Sequence, residues 1–198
     1  VTVEPPDART RILNVATALF AARGFGATSV REVVDAAGVT KPTLYYYFAN
    51  KDALFLETVR AQIDRIRALM DSTLCAEGPA KDRLRQFVRR YVDDGLADRD
   101  GVLLLITCQH PTAHPQPQVD LLSVHADTLM AVADTLADGQ RCGGVRAALD
   151  PTLAAVSLVG ACHLLVVGGL HGMPVEPDAA DRLLDLFLQG AATPCQPG

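Results

Sequence analysis

At 198 residues, with 49% hydrophobic and 21% charged residues, the chain has the composition of a folded globular protein and is too apolar for an extended disordered one. Its net charge of −5 excludes a uniformly basic nucleic-acid coat, but the charge is uneven: residues 1–60 carry a net +1 and residues 61–198 a net −6. Five scattered cysteines without a CxxC pair, and a first stretch VTVEPPDARTR without the order of a signal peptide, predict a protein of the reducing cytoplasm.

Apolar residues recur at three-four spacing almost throughout, with no internal repeat, which predicts helices. Ile12, Val15, Ala16, Leu19 and Phe20 mark the first, stopped by Gly24. Ser29-Val30-Arg31-Glu32 matches a capping box and opens a two-turn helix whose apolar stripe is Val30, Val33, Val34 and Ala37; Gly38 ends it. Thr40 caps a third helix with Pro42 in its first turn, and Leu44 and Phe48, four apart, turn inward. Residues 29–48 therefore read as helix, tight turn, helix.

Asn50 is the expected cap of a long helix that ends near Leu74 at EGPA. A helix with Leu84, Phe87, Val88, Tyr91 and Val92 on one face follows, then a short apolar one in VLLLITC and the proline-rich loop HPTAHPQPQ. Further helices are expected over about 119–137, from Asp150-Pro151, and over about 177–189. The charge-free run 152–170 approaches the length of a membrane span. It contains Ser157, His163 and three glycines without a flanking basic cluster, so a buried helix is expected and no membrane association. The fold class is all-α with about nine helices, and no glycine-rich phosphate loop interrupts it.

Two short helices joined by a tight turn suit DNA, because the second can enter the major groove while the first braces it. Within Thr40–Phe48 successive side chains step by about 100°, so Tyr45, Tyr46 and Tyr47 cannot share one face. With Leu44 and Phe48 inward, at least two rings must point outward. An exposed phenol offers a hydroxyl to a phosphate and a flat face to a sugar or thymine methyl.

These residues carry a resemblance. TSVREVVDAAGVTKPTLYYYFANKDALF resembles the signature of the TetR family of bacterial transcriptional regulators, closely over about residues 9–58. The resemblance implies an N-terminal three-helix bundle with a helix-turn-helix in residues 1–50, and a larger helical effector-binding and dimerisation domain in residues 51–198. It implies groove-facing Arg31, Lys41, Thr43 and Tyr45, Tyr47 where the family often has histidine, and Lys51 as a phosphate contact. Tyr46 is either a phosphate contact or a ring packed under the helix. Arg9 and Arg11 are candidates for a basic arm, and Val34 stands where a smaller residue is usual.

Polar atoms in otherwise apolar helices make Tyr91, Cys108, His125, Cys162 and His163 the candidate ligand-pocket residues, with His125 and His163 read equally as interior histidines. Cys108, His110 and His114 invite a metal, but the surrounding prolines and the lack of a second cysteine lead us to expect none. No cofactor and no catalytic residue is expected: GxSxG, HExxH and an acidic pair within an apolar run are missing. The resulting expectation is a homodimeric repressor, released from a palindromic double-stranded operator by a small, mainly apolar effector. It would pair through its last two helices, where Gly160, Ala161, Gly168 and Gly169 allow close approach. The alternatives are an enzyme acting on a small molecule beside a vestigial DNA-binding motif, and a regulator controlled by a protein partner.

Overall fold

Local capping chemistry sets the first helix boundaries in the computed structural model, which describes residues 7–109 and 116–189. Helix α1 (Ala8–Ala27) begins where the Asp7 carboxylate accepts from Thr10 N–H at 2.7 Å, and Gly24 breaks its regularity at φ 77°. The buried Thr28 hydroxyl closes that corner by donating to the Gly24 carbonyl at 2.9 Å. Both halves of the capping box form ahead of α2 (Val30–Ala37), and Arg23 pairs with Glu32 at 2.7 Å. Gly38 adopts the left-handed conformation that ends α2, at φ 63°. Thr40 caps α3 (Lys41–Tyr47), and the Asn50 side chain accepts from Ala53 N–H at 2.8 Å at the head of α4 (Lys51–Thr73).

The remaining helices are α5 (Ala80–Ala97), α6 (Arg99–Gln109), α7 (Leu121–Arg141), α8 (Pro151–Leu170) and α9 (Ala179–Gln189). Among the described residues there are thus nine helices and no strand. The chain forms two compact units, residues 1–66 with 98–122, and residues 67–97 with 123–198. The first part of α4 and all of α6 group with the N-terminal helices.

In the first unit Ile12, Phe20, Leu44, Leu54 and Phe55 are essentially inaccessible to solvent. The Phe55 ring stands edge-on to Phe20 at 5.2 Å and to Phe25 at 5.1 Å. Helix α6 packs along α1. Its first turn approaches α4 so closely that a Cβ on Gly101 would lie 2.4 Å from the Gln62 side-chain oxygen, and Arg65 on α4 pairs with Asp98. Arg9 and Arg11, the candidates for a basic arm, also make contacts within this unit. Arg9 pairs with Glu57 at 2.8 Å and lies over the Phe48 ring, and Arg11 reaches the Ala37 carbonyl at the end of α2.

In the second unit α5, α8 and α9 pack on one another. Helix α8, capped by Asp150, is the described helix long and apolar enough to span a membrane. It buries Ala154, Ala155, Leu158, Cys162 and Val166, and exposes Leu153, Val156, Gly160 and Leu164 on the opposite side. Only Gly160 of the three α8 glycines is open. A Cβ on Gly168 would meet Met173 at 2.6 Å, and one on Gly169 would meet Leu96 at 2.5 Å, so these two accommodate the chain's own side chains.

Helices α5 and α9 are tied by ions: Arg85 reaches Asp181 at 2.9 Å and Asp185 at 2.7 Å, and Arg89 reaches Asp181 at 2.7 Å. The Arg89 hydrogen bond, with help from Arg85, holds the Asp181 carboxyl below its usual value against the opposing effect of desolvation. A carboxyl lowered on folding stabilises the fold above its unfolded pKa and loses that contribution as pH falls through the folded value. Asp181→Asn is therefore expected to lower the thermal midpoint at pH 7. That deficit should hold down to about pH 5 and shrink below about pH 4, where the unfolded chain's carboxyl takes up a proton while the folded one still resists it, until pH falls through the lowered folded value. Melting curves of both proteins across this range check it; a deficit that persists unchanged at pH 3 would contradict it.

Candidate nucleic-acid interface

Helix α3 is too short to bury more than one stripe, and Leu44, with Phe48 just beyond its end, supplies it at 0% and 2% exposure. The helical step then forces the neighbouring rings outward. Tyr45, Tyr46 and Tyr47 are 48%, 82% and 39% exposed, which decides the open question about Tyr46 against a ring packed under the helix. The Tyr46 and Tyr47 rings meet edge-to-face at 5.0 Å, each restricting the other.

The same helix-turn-helix and the start of α4 carry the cations Arg31, Lys41 and Lys51. Lys41 is exposed in the first turn of α3, and Arg31 is exposed on α2, with Asp35 one turn on at 3.6 Å. Both partners of that pair are well solvated, so it restrains Arg31 weakly. Thr43 is half-buried, its hydroxyl 2.9 Å from that of Thr40, whose oxygen also accepts from Thr43 N–H at 3.3 Å. The capping residue thereby orients a candidate reader, a role the sequence reading gave to Thr40 only as a cap. Lys51 opens α4, its ammonium 4.2 Å from the centre of the Phe25 ring. That contact spans 26 residues and leaves no periodic signal in the sequence.

The candidate pocket residues are divided between the two units. Cys108 lies on α6 in the first unit, and the other four lie in the second. Tyr91 is half-buried beside Phe87, at 5.6 Å between rings. Burial, and secondarily the nearby Cys162, push its phenol up to about 12. Burial also pushes the Cys162 thiol up to about 12 and that of Cys108 to about 11, the reverse of what a nucleophilic cysteine needs. His163 is half-buried and lowered by desolvation, then by the neighbouring His125. His125 itself is exposed, contrary to an interior placement, because α7 turns Val124, Thr128 and Val132 inward instead.

None of the five lines the crevice of about 390 Å³ formed by Gly78–Lys81, Arg83 and the end of α7. The arginines of that crevice, Arg83 and Arg141, both pair with Asp138. Of the Cys108, His110 and His114 cluster, the two histidines lie outside the described residues. Among the described residues no three His, Cys, Asp or Glu side chains are placed to hold a metal ion.

A capped helix-turn-helix that shows rings and cations outward, within an all-helical chain, defines a DNA-binding transcriptional regulator. Residues 12–58 match the profile of the bacterial regulatory proteins, tetR family. The uncharacterized HTH-type transcriptional regulator YdgC of Bacillus subtilis is 29% identical over 93% of this chain and 92% of its own. The HTH-type transcriptional repressor KstR2 of Mycobacterium tuberculosis is 41% identical over 69 residues, 33% of this chain and 34% of that protein. The structure of KstR2, a ketosteroid transcriptional regulator, matches 94% of this chain and 95% of its own with a TM-score of 0.76 at 22% identity. FadR of Bacillus subtilis, solved in complex with stearoyl-CoA, gives a TM-score of 0.70 at 18% identity over 92% of this chain and 99% of its own. Over residues 12–58 the chain thus carries a tetR-family regulatory domain, and its all-helical fold is shared with the KstR2 and FadR structures.

Proposed function

We propose that this regulator is a cytoplasmic, homodimeric repressor whose N-terminal helix-turn-helix grips a palindromic operator and lets go when an apolar small molecule enters the helical domain that follows. The observation that carries the DNA half is the outward display of Tyr45, Tyr46 and Tyr47 beside Arg31, Lys41 and Lys51, with Leu44 and Phe48 buried beneath. Arg31, Lys41, Thr43 and Tyr45 read the groove, Tyr46 and Tyr47 contact sugar and phosphate, and Lys51 holds a phosphate at the N-terminus of α4.

The effector half rests on chemistry in the second unit. Tyr91 and Cys162 are held in their neutral forms and His163 is biased toward its neutral form, so a site built there favours an uncharged, apolar ligand. The apolar acyl chain of the stearoyl-CoA on FadR, though not its anionic CoA head, and the ketosteroid regulation of KstR2 agree with a ligand of that kind. The exposed stripe of Leu153, Val156, Gly160 and Leu164 on α8, with Leu186 on α9, is the surface for a second copy. Raised thiols in these helices favour a binding pocket over an enzyme.

Fluorescence anisotropy with a labelled duplex, selected from random-sequence DNA by the purified protein, tests the reading. Binding should survive random competitor, involve two chains per duplex, and weaken steeply between 50 and 200 mM salt, about a thousandfold if six phosphates are contacted. Arg31→Ala should bind at least about fivefold more weakly. Selected and random duplexes bound alike would defeat the proposal. Effectors are then found as compounds that lower the affinity and are recovered chemically unchanged.

A further inference from the structure

Lys51 occupies an electrostatically awkward position. It is the first residue of α4, at the positive end of the helix dipole, where a carboxylate is favoured and an ammonium is not. A residue that breaks a local rule needs either a compensating partner or a functional reason, and Lys51 has both. The partner is Phe25, whose ring centre lies 4.2 Å from the ammonium, well inside the range of attraction between a cation and an aromatic face. Two neighbouring rings restrain Phe25. It follows the left-handed Gly24 in the broken end of α1, and its ring is wedged between Phe55 at 5.1 Å and Phe20 at 6.0 Å. Both residues lie within the first unit, so this geometry is internal to the DNA-binding part of the chain.

We propose that Phe25 is a positioning residue for DNA binding: its restrained ring face holds the Lys51 ammonium at the α4 N-terminus, in place for an operator phosphate. This rests on the reading of Lys51 as a backbone contact. A lysine side chain has four rotatable bonds, and immobilising it on DNA has an entropic cost that opposes binding. Where the ring already restrains the ammonium, most of that cost has been met before DNA arrives. A ring face attracts the charge without neutralising it as a carboxylate would, and it leaves N–H groups free to donate to phosphate oxygens. The Asn50 cap takes the Ala53 N–H, and the first-turn N–H groups of α4 that it does not take join at the same place.

The test measures DNA affinity by anisotropy over a salt series for the full-length wild type, Phe25→Leu, Phe25→Tyr, Lys51→Met and the Phe25→Leu/Lys51→Met double variant, with the selected duplex as probe. Unfolding midpoints are measured in parallel. Lys51→Met should weaken binding and make the salt slope shallower by about one per half-site. Phe25→Leu should weaken it by about two- to tenfold per half-site, Phe25→Tyr should restore it, and Phe25→Leu should add nothing once Lys51 is gone. If Lys51→Met changes neither affinity nor slope, the phosphate contact itself is wrong and the inference falls with it. If Lys51→Met behaves as expected but Phe25→Leu has no effect, tightens binding, or weakens it equally in both backgrounds, the phosphate contact stands and the positioning role is overturned. In the last of these cases Phe25 acts through packing alone.

Discussion

Phe20→Ala is expected to destabilise the DNA-binding unit by about 3–5 kcal/mol, the largest stability loss of any single truncation discussed for this chain. Phe20 is fully buried and meets Phe55 edge-to-face at 5.2 Å, so truncation removes both apolar burial and an oriented aromatic contact. Close-packed surroundings on α1 and α4 can relax only partly into the space, and the residual cavity adds to the loss. Domains are typically stable by about 5–15 kcal/mol, so a loss of this size removes a large share of the total. Urea unfolding should show a midpoint far below that of the wild type, and specific DNA binding should be impaired because α1 supports α2 and α3. Phe20→Leu, which keeps most of the volume, should lose much less. An unfolding free energy within about 1 kcal/mol of wild type for Phe20→Ala would mean the aromatic cluster does not hold the unit together.

The parts of this architecture that could be read from the sequence are those set by neighbours in the chain. Ser29 with Glu32, Gly38, Thr40, Asn50 and Asp150 act within a few residues of themselves, and each forms the cap or stop its chemistry requires. The outward tyrosines follow from one angle and two buried neighbours. Contacts that close over long separations gave no such signal. Arg9 with Glu57 spans 48 residues and Arg85 with Asp181 spans 96, separations at which no local pattern points to either pair. A glycine pattern does not say whose side chain fills the space beside Gly168 and Gly169; Met173 and Leu96 of the same chain do. His125 illustrates a different limit. Apolar residues occur nearly all round α7, so periodicity alone does not choose its inner face, and Leu121, Val124, Thr128 and Val132 turn inward in its place.

The same uncertainty about faces bears on α8, where chemistry rather than periodicity points to the outer surface. Leu153, Val156 and Leu164 are 66%, 49% and 69% exposed on a helix that carries no charge at all, and Gly160 among them has open space where a side chain would stand. Apolar side chains around a glycine allow another helix to approach closely, and a second copy of the same stripe is the self-complementary partner that twofold symmetry supplies. Leu164→Glu places a charge on both sides of that contact at once, and desolvating two like charges is costly enough to separate the copies. The expected result is a folded monomer by sedimentation or light scattering, with a helical spectrum like that of the wild type. Operator affinity should fall by at least about a hundredfold, because each half-site must then be bound without the gain from linkage to the other. Leu153→Glu, on the same stripe, should act in the same direction, whereas a charge at an exposed position outside the stripe, such as Gln86→Glu on α5, should leave the dimer intact. Dimers that persist in both stripe variants would move the interface away from α8. A monomer that still bound the full operator with wild-type affinity would instead show that each helix-turn-helix acts alone, and the palindrome would then have no mechanical role.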